Sequence, residues 1–258
     1  MKIVATACVC FMCTTAIFAQ ENRTQTLINA ALHGWEYEVK AGLGIGGSAP
    51  LPIPAEIRSI DSYNPTLAIS LEGNATKWFG KEQKWGLIAG IRFENKNMTT
   101  KATTKNYKME IIGHDGNRLK GNWTGGVKTV VRNAYVTVPL LAAYKLTSRW
   151  NLKFGPYVSY LMDGEFSGEV YEGYLREGDP TGDKINFQDG AIATYDFSND
   201  LRKFAWGLQL GADWKAFKHL KVYTDLTWGL NDIFQKDFET VTFSMYPIYL
   251  NLGFAYAF

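Results

Sequence analysis

S-M-Y-P-I-Y-L-N-L-G-F-A-Y-A-F, Ser244 to Phe258, decides the fold. Large apolar residues stand at every second position: Tyr246, Ile248, Leu250, Leu252, Phe254, Tyr256 and Phe258. From Tyr249 on, the residues between them are small or polar: Tyr249, Asn251, Gly253, Ala255 and Ala257. A period of two makes a strand with one apolar face. A soluble protein turns such a face onto a core. A transmembrane β-barrel turns it onto lipid and keeps small and polar residues for its lumen.

The same alternation recurs seven more times. Trp35 to Gly46 sets Tyr37, Val39, Leu43 and Ile45 against Glu36, Glu38, Lys40 and glycines. Further strands are expected over about Tyr63–Lys77, from Trp85 to Glu94, and over Val130–Leu146, Trp150–Met162, Phe204–Trp214 and Leu220–Leu230. The connections run long, short, long, short, long, short, medium. The long ones are a Pro-rich loop (Pro50, Pro52, Pro54), a polar segment Asn95–Lys128 and the longest, Asp163–Asp200. Even strand number with short turns at one end and long loops at the other is the pattern of outer-membrane barrels. The expected fold is all-β, an eight-stranded antiparallel up-and-down transmembrane β-barrel with long extracellular loops. Pro139, Pro156 and Pro247 fall inside strands, where bulges or strand ends are expected.

Two patterns separate lipid from solvent outside the barrel. Over the middle of the strands Glu38, Lys40, Glu72, Arg92, Lys153, Asp213 and Asp225 all lie on the small-residue face. An Arg or Lys on the lipid face at mid-membrane costs about 2–4 kcal/mol, so lipid enforces this segregation. A soluble ligand-binding barrel needs the reverse. In addition, Trp35, Trp78, Trp85, Trp150 and Trp214 sit beside the first strand's start or a short turn, as a membrane-interface girdle would. Phe79, Phe217, Tyr256 and Phe258 join that rim, and Tyr63, Phe93, Tyr160, Phe204, Phe234 and Tyr246 mark the opposite one.

The 258 residues allow one large domain, and beyond the first twenty no apolar run is long enough for a transmembrane helix. Residues 1–19 have a short positive start at Lys2, an apolar stretch and Ala19 before polar residues, the form of a secretory signal peptide cleaved near Ala19. Residues 20–34 are then a periplasmic lead-in and 35–258 the barrel domain. Cys8, Cys10 and Cys13 all fall in the signal, so no disulfide or thiol chemistry is expected after cleavage. Formal net charge is +2, and losing Lys2 leaves +1; nucleic acid is not an expected partner.

From strand four onward the sequence resembles PorT-like outer-membrane β-barrel proteins of Bacteroidetes, a Gram-negative group. The resemblance rests on Tyr135-Val136-Thr137-Val138-Pro139-Leu140-Leu141 with Tyr144-Lys145-Leu146, on Gly155-Pro156-Tyr157-Val158-Ser159-Tyr160-Leu161, on Gly207–Ala212 and Gly229–Ile233, and on the ending Leu250–Phe258. It covers about Trp35 to Phe258. It implies an eight-stranded barrel inserted by the outer-membrane assembly machinery, with Phe254, Tyr256 and Phe258 in the recognised last strand, and no shared catalytic residues. The very long third outer loop departs from the family pattern.

Candidate chemistry is sparse. Among His33, His114 and His219, only His114 has an acid beside it, Asp115, and no Ser/His/Asp set converges on one rim. Asp179, Asp183 and Asp189 in a Gly-rich loop have the composition of a calcium loop but match no defined one. No catalytic, cofactor-binding or metal residue is assigned. An eight-stranded lumen is just wide enough for side chains to fill it, so the seven interior charges are expected to pair into a closed network. The expected protein is a non-enzymatic barrel in outer-membrane lipid, structural or binding a protein or glycan through its outer loops. The alternatives are a narrow passive channel, a secretion-system accessory barrel and a membrane-embedded hydrolase.

Overall fold

The computed structural model describes residues 34–113, 117–238 and 240–258, and of 188–190 the backbone alone. The expected signal peptide, most of the lead-in, His33, His114 and Asp115 lie outside the described residues. Among the described residues ten strands form one antiparallel sheet: β1 (Trp35–Pro50), β2 (Ile57–Asn64), β3 (Ala68–Phe79), β4 (Trp85–Ile112), β5 (Arg118–Lys145), β6 (Trp150–Glu177), β7 (Lys184–Asp196), β8 (Phe204–Lys215), β9 (Leu220–Gly229) and β10 (Met245–Ala257). Eight of them close a ring, β1–β3–β4–β5–β6–β8–β9–β10, with β10 returning to β1. β2 and β7 stand outside the ring, on the upper parts of β4 and β6.

Ladder partners define the stagger. Ile45 pairs Leu250, Leu250 pairs Leu226, Leu226 pairs Leu210, Leu210 pairs Phe154, and Phe154 pairs Ala142. Ala142 then pairs Leu87, Leu87 pairs Lys77, and Lys77 pairs Trp35. One circuit therefore climbs from Trp35 to Ile45, ten residues along β1. Stagger of this kind tilts the strands and closes a sheet whose interior side chains can fill.

The alternation inferred from the sequence sets the two faces. Leu43, Ile69, Leu87, Phe154, Leu210 and Leu252 are exposed on the outside, and the charged residues at intervening positions are buried within. The short turns at 80–84, 146–149 and 216–219 share one end.

The other end differs from the expected loops. Asn95–Lys128 is mostly ladder: β4 and β5 pair from Trp85–Tyr144 up to Ile112–Arg118. Likewise β6 runs on to Glu177 and β7 pairs back onto it. These strands, 28 residues each in β4, β5 and β6, carry the wall well past the ring. Inside this extension the filling changes from charge to hydrocarbon. Met98, Met109, Trp123, Val131, Phe166, Val170, Leu175, Tyr195 and Phe234 form one buried cluster. Phe234, expected at a rim, is thus in this core.

Smaller corrections concern proline. The second expected strand, Tyr63–Lys77, is two, broken at 65–67, where Pro65 cannot donate to a ladder. Pro50 ends β1 opposite Met245 instead of opening a loop. Pro139, Pro156 and Pro247 pair without a register shift, with Tyr157, Leu208 and Ser48. Register shifts lie elsewhere, among them one between Thr104 and Tyr107 and one between Ala134 and Tyr135. At the first, Asn106 takes φ 59°, a left-handed conformation that asparagine tolerates.

Candidate functional site

The lumen is one connected polar network. At the short-turn end Lys221 pairs with Glu36 and, at 2.9 Å, with Glu38. Asn74 Nδ2 donates to Glu38 Oε1 at 3.1 Å and to Glu72 Oε1 at 2.6 Å. Lys40 Nζ lies 3.1 Å from Glu72 and 2.5 Å from Asp225, above the ring of Tyr223. Lys153 bridges Asp213 at 2.6 Å and Asp225 at 3.0 Å.

Arg92 is the junction of the lower and upper halves. Its Nη1 is 3.0 Å from Glu72, its Nε is 3.2 Å from Glu94, and both Nη atoms donate to Gln209 Oε1 at 3.2 Å. Glu94 also accepts from Thr137 at 2.7 Å and pairs with Lys96 at 3.4 Å. Lys96 sits among the rings of Tyr135, Tyr157 and Tyr249, and the apolar filling begins above it.

All seven lumen residues singled out by alternation are in this network. Glu36, Glu94, Lys96 and Lys221 extend it, and each has the same strand parity as those seven. Parity places all four on the inner face, as the sequence shows directly for Glu36 beside Glu38 and Lys40. A carboxylate or ammonium taken out of water needs partners, and here each has them.

The tryptophans divide. Trp35, Trp85, Trp150 and Trp214 are exposed on the outer surface. Trp78 is not: it is 7% exposed and points into the lumen. Its Nε1 donates to Glu36 at 2.9 Å, and Lys145 Nζ lies 3.9 Å from the ring centroid. Trp78 shares parity with Glu72 and Asn74, so it closes the short-turn end from within instead of joining the girdle. Phe254, Tyr256 and Phe258 are all exposed on the outside of β10.

The other candidates serve local structure. His219 Nδ1 donates to the carbonyl of Ala257 at 2.8 Å, and its ring stacks on Tyr256. Asp179 accepts from both the backbone N–H and the hydroxyl of Thr181, closing the turn before β7. The backbone carbonyl of Asp183 accepts from the Glu177 N–H across the same turn, and the side chain of Asp189 lies outside the described residues.

A family model described as an outer membrane protein beta-barrel domain matches residues 18–235. The chain belongs to this family. It is an outer-membrane barrel, with charged lumen inside and apolar belt toward lipid. No curated protein matches the sequence. Solved outer-membrane barrels align over most of their length. Ail, the attachment invasion locus protein of Yersinia pestis, is 9% identical, covering 87% of this chain and 97% of that one, with TM-score 0.35. A major outer membrane protein from Thermus thermophilus is 16% identical, covering 88% and 100%, with TM-score 0.41. The outer membrane protease OmpT from Escherichia coli is 14% identical, covering 86% and 97%, with TM-score 0.31.

The barrel's extension, beyond the bilayer, carries its own electrostatics. Burial alone would raise the Glu110 carboxyl, but bonds from Arg118 at 3.1 Å and Lys120 at 3.2 Å hold it below its usual range. Asp200, across a cavity of about 400 Å³ from Glu110, is pushed up by burial and then by Asp237, Glu110 and Asp196. Burial also raises the Tyr195 phenol, although its hydroxyl bonds Thr129 at 2.6 Å.

Proposed function

We propose that this protein is a plugged, non-enzymatic outer-membrane barrel that works through its extracellular extension. The observation that carries this reading is the unbroken lumen network from Glu36 to Lys96, because a path for ions must break several buried pairs at once. A second support is that β4 to β7 build a rigid, cored platform in place of floppy loops. Rigid scaffolds that hold short connecting segments commonly carry recognition, here of a protein or glycan. The PorT-like resemblance, a signal peptide at 1–19, a lead-in at 20–34, an interfacial role for Trp35, Trp85, Trp150 and Trp214, and the role of Phe254, Tyr256 and Phe258 in assembly belong to this reading.

Planar-bilayer recording tests the plug: the purified barrel is expected to stay silent, and reproducible unitary conductance would reverse the assignment in favour of the channel. Replacing 97–131 and 165–197 with short turns tests the platform. The shortened barrel is expected to insert normally and to lose surface binding that the intact chain shows. Equal binding by both forms would place recognition elsewhere.

A further inference from the structure

The barrel wall is incomplete at one place. β1 pairs β3 only up to Gly44–Ala68, while its upper part, Ile45 to Pro50, remains laddered to β10 alone. On the other side of this gap β2 is laddered to β4. Among the described residues no strand pairing joins upper β1 to β2. One hydrogen bond crosses: the Tyr63 hydroxyl donates to the Gly46 carbonyl at 2.7 Å.

Behind the gap lies a cavity of about 340 Å³. That is within the range of about 300–1,000 Å³ common for small-ligand sites. Its inner wall is Met98, Val127, Phe166, Phe243 and Met245, part of the extension's apolar core. None of the described residues lining it is charged. Three of the hydroxyls on its wall are engaged within the protein: Thr129 by Tyr195, Thr104 by the Gly125 carbonyl, and Tyr63 by the Gly46 carbonyl. Gly47 keeps the passage thin, since a Cβ there would come within 2.7 Å of Met98 Sδ. The mouth is edged by Ile60 and Tyr63, both exposed on the outer surface beside the apolar belt.

We propose that this cavity binds a free, uncharged lipophile that enters sideways from the outer leaflet through the gap between β1 and β2. The chemistry excludes an ionised ligand, because desolvating a charge with no partner is unfavourable. It disfavours the tail of a resident lipid, because the cavity extends upward into the extension, away from where tails point. Tyr63 is the latch, and Met98 and Phe243 form the floor that separates the ligand from solvent.

The test uses the full chain refolded in phosphatidylcholine vesicles and the uncharged probe N-phenyl-1-naphthylamine, read by tryptophan-sensitised emission. A saturable component of one probe per barrel is expected, displaced by decanol and not by decanoate at neutral pH. Ala102→Phe, which fills the cavity, should bind about tenfold or more weakly, and Tyr63→Phe should exchange probe faster. Emission rising without saturation, or displacement by decanoate as readily as by decanol, overturns the proposal. So does a purified barrel that carries one phospholipid which decanol displaces. Should Ala102→Phe fail to fold, the alcohol and carboxylate comparison on the unmodified chain decides alone.

Discussion

At the scale of single residues, Arg92 bears the most. Replacing it with Met takes one partner from Glu72, which keeps Lys40, and one from Glu94, which keeps Lys96, and leaves Gln209 Oε1 without its donor; the cost is expected toward the lower end of the about 3–5 kcal/mol seen when a buried pair is broken. Arg92→Lys is expected to recover little, because one ammonium cannot span Glu72, Glu94 and Gln209. Urea unfolding in micelles, followed by tryptophan emission, checks both, and near-identical midpoints for Arg92→Met and the parent would refute the argument. Trp78→Ala removes the inner closure and should destabilise by about 3–5 kcal/mol, as large-to-small core changes do. Trp85, exposed on the outer surface, should respond far less. Glu110 brings pH dependence. Its folded carboxyl is held below the ordinary value of 4.5, so its contribution is present above that pH and fades as pH falls through the folded value. Arg118 and Lys120 are well exposed, so the effect should stay below about 1 kcal/mol. Asp200 has the opposite sign: its raised carboxyl favours the fold below 3.8 and loses that contribution as pH rises. Amide protection at the β4–β5 tip should therefore fall more, or rise less, on acidification in the parent than in Glu110→Gln. Residue roles are legible wherever parity reaches. Trp78 is misplaced when nearness to a turn is weighed above its parity, and Phe234 because outside a ladder there is no parity to count.

Among the elements, the ring strands are legible because lipid enforces a strict contrast between faces. The extension is not, for the same reason reversed. Above Phe93 the outward residues of β4 are Asn95, Asn97, Thr99, Lys101 and Thr103, while Lys96, Met98, Thr100, Ala102 and Thr104 face in, so neither face is continuously apolar. Such a stretch has the composition of a loop, although its threonines favour strands. The consequence is testable by limited proteolysis of the barrel in vesicles. Trypsin is expected to spare Lys96, Lys101 and Lys128 inside the ladder and to cut at its frayed end beside the exposed turn at 178–183, after Arg176 or Lys184, the last pair before that turn. Rapid cleavage at Lys101 would mean that the β4–β5 ladder opens readily. The prolines point the same way: three are expected to disrupt strands, yet each loses a single ladder bond that the closed ring absorbs.

For the whole molecule, closure is what the sequence shows best and what experiment can check most simply. A closed ring with a filled lumen should resist cold detergent and change its gel mobility only on boiling, and identical migration before and after heating would contradict a closed barrel. Function is less legible, because fold does not fix function and the distinctive parts, the extension core and the wall gap, arise from residues far apart in the chain. The 28-residue strands have one more consequence. Each is roughly 90 Å long at about 3.3 Å per residue, and only about 9–11 residues are needed to cross the bilayer. The remainder is a mast continuous with its footing. Whatever grips the tip is kept at a set stand-off from the cell surface, and a tug there runs down hydrogen-bonded rungs into the ring, interrupted along the described β4–β5 ladder at the bulge between Thr104 and Tyr107.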